Sequence, residues 1–163
     1  MLEKTSLSIL AALPKPEIIV PLEGTIFAAN NLPGALSVIA IAEKNNLFNA
    51  PETYMEKISA KVNEKGIIDL DYSVKENIFN LSEYLNKKPE SITACVMDRP
   101  RHKNIINDLN KLGVNIKLIT DGDVTGALLV TDDKYNVDIF LGTGGGPEGV
   151  LASSALDTFN CYF

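Results

Sequence analysis

A single histidine, His102, among 163 residues is the scarcity that most limits the chemistry. A site built from several imidazoles is excluded, so any metal must be held by oxygen ligands, which suit Mg or Mn better than Zn. Cysteine is nearly as scarce. Cys95 lies in the apolar run "TACVMD" and Cys161 in the last three residues, a spacing that forms neither a metal knuckle nor a redox pair. Both read as ordinary buried or half-buried thiols. Basic residues are outnumbered, 15 against 21 acidic ones, and the net charge of −6 comes without any Lys/Arg stripe. Nucleic-acid binding needs a clustered excess of cations, so that class is disfavoured. Long apolar runs are missing too. The stretch from Ser8 to Leu13 is too short to cross a membrane, and no clear basic n-region or cleavage site marks a secretory signal. A cytoplasmic protein with neither nucleic-acid nor membrane partners is the expectation.

What is present is an ordinary apolar fraction of 45%, enough for one or two cores. "LSVIAIA", residues 36–42, has no solvent face and predicts a fully buried strand. "GIIDLD" from Gly66 is a shorter strand candidate. Ser73 and Glu76 form a capping box before a helix carried by Val74, Ile78, Leu81 and Leu85. From "ITACVMD" onward, strands and helices alternate: "HKNIINDLNKL" closed by Gly113, "VNIKLIT", "VTGALLV", "VDIFLG" and "PEGVLASSAL". Three buried strands separated by helices predict an α/β fold with a parallel or mixed sheet covered on both faces. The change of pattern predicts a division near residue 90, with 1–90 and 91–163 in separate sheet layers. The apolar end "LDTFNCYF" reads as a chain that stops inside a larger fold.

In such sheets the turns after the strand C-termini gather along one edge, where ligands bind. Here those turns are "DRPRH", "TDGDV" and "GTGGGPEG". Gly144, Gly146 and Gly149 match the G-x-G-x-x-G spacing of dinucleotide loops, but Glu148 would stand against the pyrophosphate, which suits a metal better. Read alone, the loop is equally a tight turn with Glu148 facing the helix dipole. Asp121 either caps the next helix or, with Asp123, accepts hydrogen bonds from sugar hydroxyls. Arg99 and Arg101 are a solvated charge cluster or a phosphate clamp. "NAPETYMEK" reads as a loop bringing Tyr54 and Lys57 either to surface packing or to a phosphate. "IVPLEGTIF" reads as a strand opening into a turn with one carboxylate, Glu23, which is half of what a metal site needs.

Taken together, "PLEGT", "NAPETYMEK", "RPRH", "DGDV" and "GTGGGPEGV" resemble, in this order and spacing, the class II (GlpX-like) fructose-1,6-bisphosphatases. The resemblance runs from about Pro21 to the end. It implies the layered fold of the lithium-sensitive sugar and inositol phosphatases, incomplete at both ends, and hydrolysis of the 1-phosphate of fructose 1,6-bisphosphate in gluconeogenesis. It further implies Mn2+ or Mg2+ as cofactor and a homo-oligomer as in related enzymes. By this resemblance Glu23 and Glu148 are metal ligands, Glu23 and Thr25 serve catalysis, and Thr25 helps to orient the attacking water. Gly24, Thr25, Tyr54, Arg99, Arg101, Asp121, Gly122, Asp123 and Gly145 form the sugar-phosphate pocket. Two departures stand out. Most relatives have lysine where Arg99 stands, and Val20 replaces an aspartate that is a further metal ligand. Nothing in Met1–Ile19 matches the family's upstream Gly-Asp and Gly-Glu-Gly-Glu motifs. The chain is therefore expected to be the middle of such an enzyme with little activity alone, the alternative being a non-catalytic sugar-phosphate binding or subunit-interaction module.

Overall fold

A computed structural model describes residues 17–19, 22–32 and 35–163, with only the backbone path given for 17–19, 22 and 23. Val20, Pro21 and the Glu23 side chain lie outside that description. Two short antiparallel ladders come first, β1 (Glu17–Ile19) with β4 (Ala40–Ala42) and β2 (Leu22–Glu23) with β3 (Leu36–Ser37). Helix α1 (Thr25–Ala29) separates β2 from β3. The main sheet has the order β5-β8-β6-β7, from β5 (Tyr54–Ala60), β6 (Thr93–Met97), β7 (Asn115–Ile119) and β8 (Ile139–Gly145). Strands β6, β7 and β8 are parallel; β5 runs antiparallel to β8.

Strand alternation sends side chains to opposite faces and so divides the core in two. Ala94, Val96, Ile139 and Leu141 face one cluster with Ile78 and Leu81 of α2 (Val74–Tyr84) and Leu109 of α3 (Lys103–Lys111). Cys95 and Phe140 face the other, with Val124 and Ala127 of α4 (Asp123–Leu128) and Leu151, Ala152 and Leu156 of α5 (Gly146–Thr158). The result is the expected α/β class, a sheet flanked by helices. The capping box is present in full: the Ser73 hydroxyl accepts from the Glu76 amide, and the Glu76 carboxylate accepts from the Ser73 amide at 2.8 Å.

Four sequence expectations need correction. "LSVIAIA" is broken into β3 and β4, and Leu36 and Ile39 are about half exposed while Val38 and Ala40 pack on the core. A continuous apolar run implies burial only where layers cover both faces, and these ladders are covered on one. "GIIDLD" forms turns in place of a strand, because the Asn77 side chain of α2 accepts from the Asp69 amide and donates to the Asp69 and Tyr72 carbonyls. Strand β7 is an exposed edge, not a buried strand, with Leu118 half exposed. Finally, "TYMEK" is no loop. It opens β5, which joins the sheet of residues 93–145, so the sheet does not divide at residue 90.

Both cysteines are buried and unpaired with each other. Burial pushes the Cys95 thiol up to about 12 from 9.0 and outweighs the opposing charge of Lys117. The folded chain thus holds this proton more tightly than the unfolded one. Sign follows directly: Cys95 adds no pH dependence below about 9, and stability falls as pH rises from about 9 towards 12. Urea midpoints at pH 8 and pH 10 should fall further for the wild type than for Cys95→Val. Equal falls would remove Cys95 as a cause.

Candidate functional site

Chain direction decides what meets at the sheet edge. The parallel strands β6, β7 and β8 end there, and antiparallel β5 begins there, so Tyr54 stands opposite Gly145 in register. The turns after β6, β7 and β8 carry Arg99 and Arg101, Asp121 to Asp123, and Gly144 to Glu148. With Gly24, Thr25, Ile26 and Tyr54 they line one cavity of about 270 Å³, near the lower end of small-ligand pockets, roughly 300–1,000 Å³. A second groove of about 330 Å³ is lined by Leu47, Phe48, Met55, Val150 and Phe163 among others and has no charged side chain. Of these two, only the first has the charged side chains that chemistry needs.

The turn after β2 reaches this cavity through Gly24, whose φ of 73° is a left-handed conformation that glycine adopts without strain. That turn aims the Ile26 amide at Asp121, whose Oδ2 accepts at 3.0 Å. The other oxygen of Asp121 accepts from Arg99 Nη2 at 3.3 Å. Asp121 is therefore not a helix cap: Gly122 takes the N-cap position of α4 and no side chain caps it. Asp121 ties three segments together, and Arg99 is committed to it.

Asp123 opens α4 and is buried, paired with Lys57 of β5, whose side chain is only 1% exposed. Lys57 was expected near a surface loop or a phosphate; it lies beneath the cavity wall instead. A charged residue at an inward position of a strand looks like a surface residue in sequence, and its partner stands 66 positions away. Asp123 also explains Gly144, where an added Cβ would collide with the Asp123 carboxylate. The space that a dinucleotide loop leaves for pyrophosphate is filled here by an anion. An added Cβ at Gly145 would likewise strike the Glu148 carboxylate, and one at Gly146 would come within 2.8 Å of the Pro51 carbonyl.

Arg101 is held differently from Arg99. Its Nε donates to the Thr143 carbonyl at 2.9 Å, and its guanidinium carbon stands 5.0 Å from the centroid of the Tyr54 ring. The cation–π contact and this hydrogen bond hold the guanidinium, and among the described residues its terminal nitrogens have no hydrogen-bond partner, which leaves them for a ligand. The residue that the sequence reading undervalued is His102. It is fully buried, and its ring bridges the Met97 carbonyl and the Thr143 amide. Its position right after Arg101 was the one available signal.

The described carboxylates do not make a metal centre by themselves. Among the described residues no group of three or more His, Cys, Asp or Glu side chains is placed to hold a cation. Asp121 and Asp123 are committed to Arg99 and Lys57, which leaves Glu148 on the cavity wall and Glu23 beyond the described side chains. No reaction step through a metal follows from this arrangement. No helix among the described residues is long and apolar enough to cross a membrane.

Comparison with known proteins identifies the family. Residues 12–163 match the family model of bacterial fructose-1,6-bisphosphatase, glpX-encoded. Over 143 residues the chain is 40% identical to a protein of Synechocystis and 39% identical to proteins of Microcystis aeruginosa and Synechococcus elongatus. Each is named D-fructose 1,6-bisphosphatase class 2/sedoheptulose 1,7-bisphosphatase. Each match covers 88% of this chain and 41% of the relative. With a family match over nearly its whole length, the chain belongs to the glpX-encoded bacterial fructose-1,6-bisphosphatases.

Proposed function

We propose that this chain carries the sugar-phosphate-binding part of a class 2 bisphosphatase site, with fructose 1,6-bisphosphate as its ligand. The observation that carries the reading is the meeting of Arg101, Tyr54, Asp121, Asp123 and the Gly24–Ile26 turn in one cavity. A phosphate fits the free edge of Arg101, where two charge-assisted hydrogen bonds are available. The fixed carboxylates of Asp121 and Asp123 are acceptors for sugar hydroxyls, and the backbones of Gly122 and Gly145 line the same cavity. Thr25 stands at the cavity wall, where a hydroxyl can orient water. In the whole enzyme the reaction is hydrolysis of the 1-phosphate, with Mn2+ or Mg2+ as the cation. Glu23 and Glu148 contribute to holding it, but two carboxylates do not complete its shell.

The commitment of Asp121 and Asp123 to cations of the protein favours binding over turnover in this chain by itself. Calorimetric titration separates the roles of the two arginines. Arg101→Ala is expected to weaken fructose 1,6-bisphosphate binding by about 1.5–3 kcal/mol, the cost of losing a charged hydrogen-bond partner. Arg99→Ala should cost less, because its guanidinium is already spent on Asp121. Equal affinity of wild type and Arg101→Ala would remove Arg101 from the site and with it the reading.

A further inference from the structure

The ladder between β6 and β8 is shorter than either strand. The two pair at Ala94–Ile139 and Cys95–Phe140; on the far side the Asp138 amide still donates to the Thr93 carbonyl at 2.9 Å, but towards the cavity the registered pairs stop at Cys95–Phe140. In the gap, towards the cavity, stands the ring of His102. Its Nδ1 is 2.8 Å from the Met97 carbonyl and its Nε2 is 2.9 Å from the Thr143 amide nitrogen. An amide N–H only donates and a carbonyl only accepts, so the two partners fix one tautomer: Nε2 bare, Nδ1 protonated. At Gly142 an added Cβ would crowd the Phe140 ring at 3.3 Å and touch Nε2 at an ordinary 3.6 Å, so the glycine and the imidazole are in contact. The imidazole thus replaces one rung of the ladder and holds the strand ends apart where the cavity opens.

From this geometry we infer that His102 is the positioning residue for Arg101, acting through Thr143. The same residue whose amide His102 holds offers its carbonyl to Arg101 Nε at 2.9 Å. Arg101 precedes His102 in the chain, so the guanidinium is fixed from both ends of a closed loop: peptide, imidazole, Thr143, guanidinium. Tyr54 closes the remaining side. The role rests on the anion-binding reading of the cavity, but its structural part can be tested independently.

The chain has one histidine, so its ring nitrogens give a single set of ¹⁵N resonances. The wild type should show the Nδ1–H tautomer, together with a slowly exchanging Arg101 Nε–H. A ring protonated at Nε2 would overturn the inference, and this measurement needs no variant to fold. Two variants test the route. In His102→Gln the side-chain oxygen has the reach of Nε2 and accepts from Thr143, whereas His102→Asn reaches only as far as Nδ1 and leaves the Thr143 amide unpaired. Each keeps one of the two bonds, so a merely structural role predicts similar losses from both. Positioning predicts that Gln retains the slow Arg101 Nε–H and fructose 1,6-bisphosphate affinity near wild type, while Asn loses the slow proton and about tenfold in affinity. Matched behaviour of Gln and Asn at Arg101 would overturn the inference. A wild type with the expected ring and guanidinium signals but no affinity for the sugar phosphate would support the positioning and refute the proposed ligand.

Discussion

Lys57→Met is expected to lower folding stability by about 3–5 kcal/mol, the usual cost of removing one partner from a buried ion pair. The reason lies in what remains. Asp123 stays in the wall of the cavity, 8% exposed, with its carboxylate pressed against the backbone of Gly144 and no cation to offset it. Methionine fills the space left by the lysine stem, so lost packing contributes little and the uncompensated charge dominates. The double variant Lys57→Met/Asp123→Leu should recover most of the loss, since an apolar pair of similar volume is often as stable as the ion pair it replaces. Urea denaturation of the three proteins measures both quantities. A single variant within about 1 kcal/mol of wild type would mean that the pair behaves as a surface salt bridge and that Asp123 is solvated.

The second large expectation concerns turnover. Phosphate release from fructose 1,6-bisphosphate by the 163-residue chain should fall far below the roughly 1–1,000 per second typical of enzymes, even at saturating Mn2+ or Mg2+. Compact divalent cations need several oxygens in near-ideal geometry. Two of the aspartates near the cavity are bound to protein cations, and no cluster of three ligands exists among the described residues. Val20→Asp should not rescue the chain, because one restored carboxylate beside Glu23 and Glu148 still leaves a cation short of ligands. Turnover in the ordinary enzymatic range by the purified chain would sink this expectation.

How much of this was legible in the sequence depends on the range of the interaction. The α2 cap is local, so Ser73 and Glu76 announced it three residues apart. The turns after β6, β7 and β8 were legible because each follows a strand of apolar, β-branched residues, and topology alone gathers such turns at one edge. What lay hidden was set by distant partners. Tyr54–Ala60 begins with three exposed residues and then buries a lysine, a pattern that reads as a surface loop until Asp123 is known to lie opposite. The Arg99–Asp121 contact was hidden for the same reason: each residue alone is as consistent with solvent as with its partner. His102 reads in sequence as too solitary for a metal site, and only the gap between two strands gives it a use.

The sheet order has a consequence for synthesis on the ribosome. In β5-β8-β6-β7, the strand made last is a central one, inserted between β5 and β6. Until β8 emerges, β5 has no sheet partner among the described residues, and its unpaired edge and apolar residues such as Ile58 are open to other chains. Contacts that must wait for distant sequence form slowly. A nascent chain stopped before residue 139 would therefore not be a domain missing its rim. It would be two separate pieces, β5 on one side and the β6–β7 pair on the other, with the half of the cavity that holds Tyr54 unable to find the half that holds Arg101.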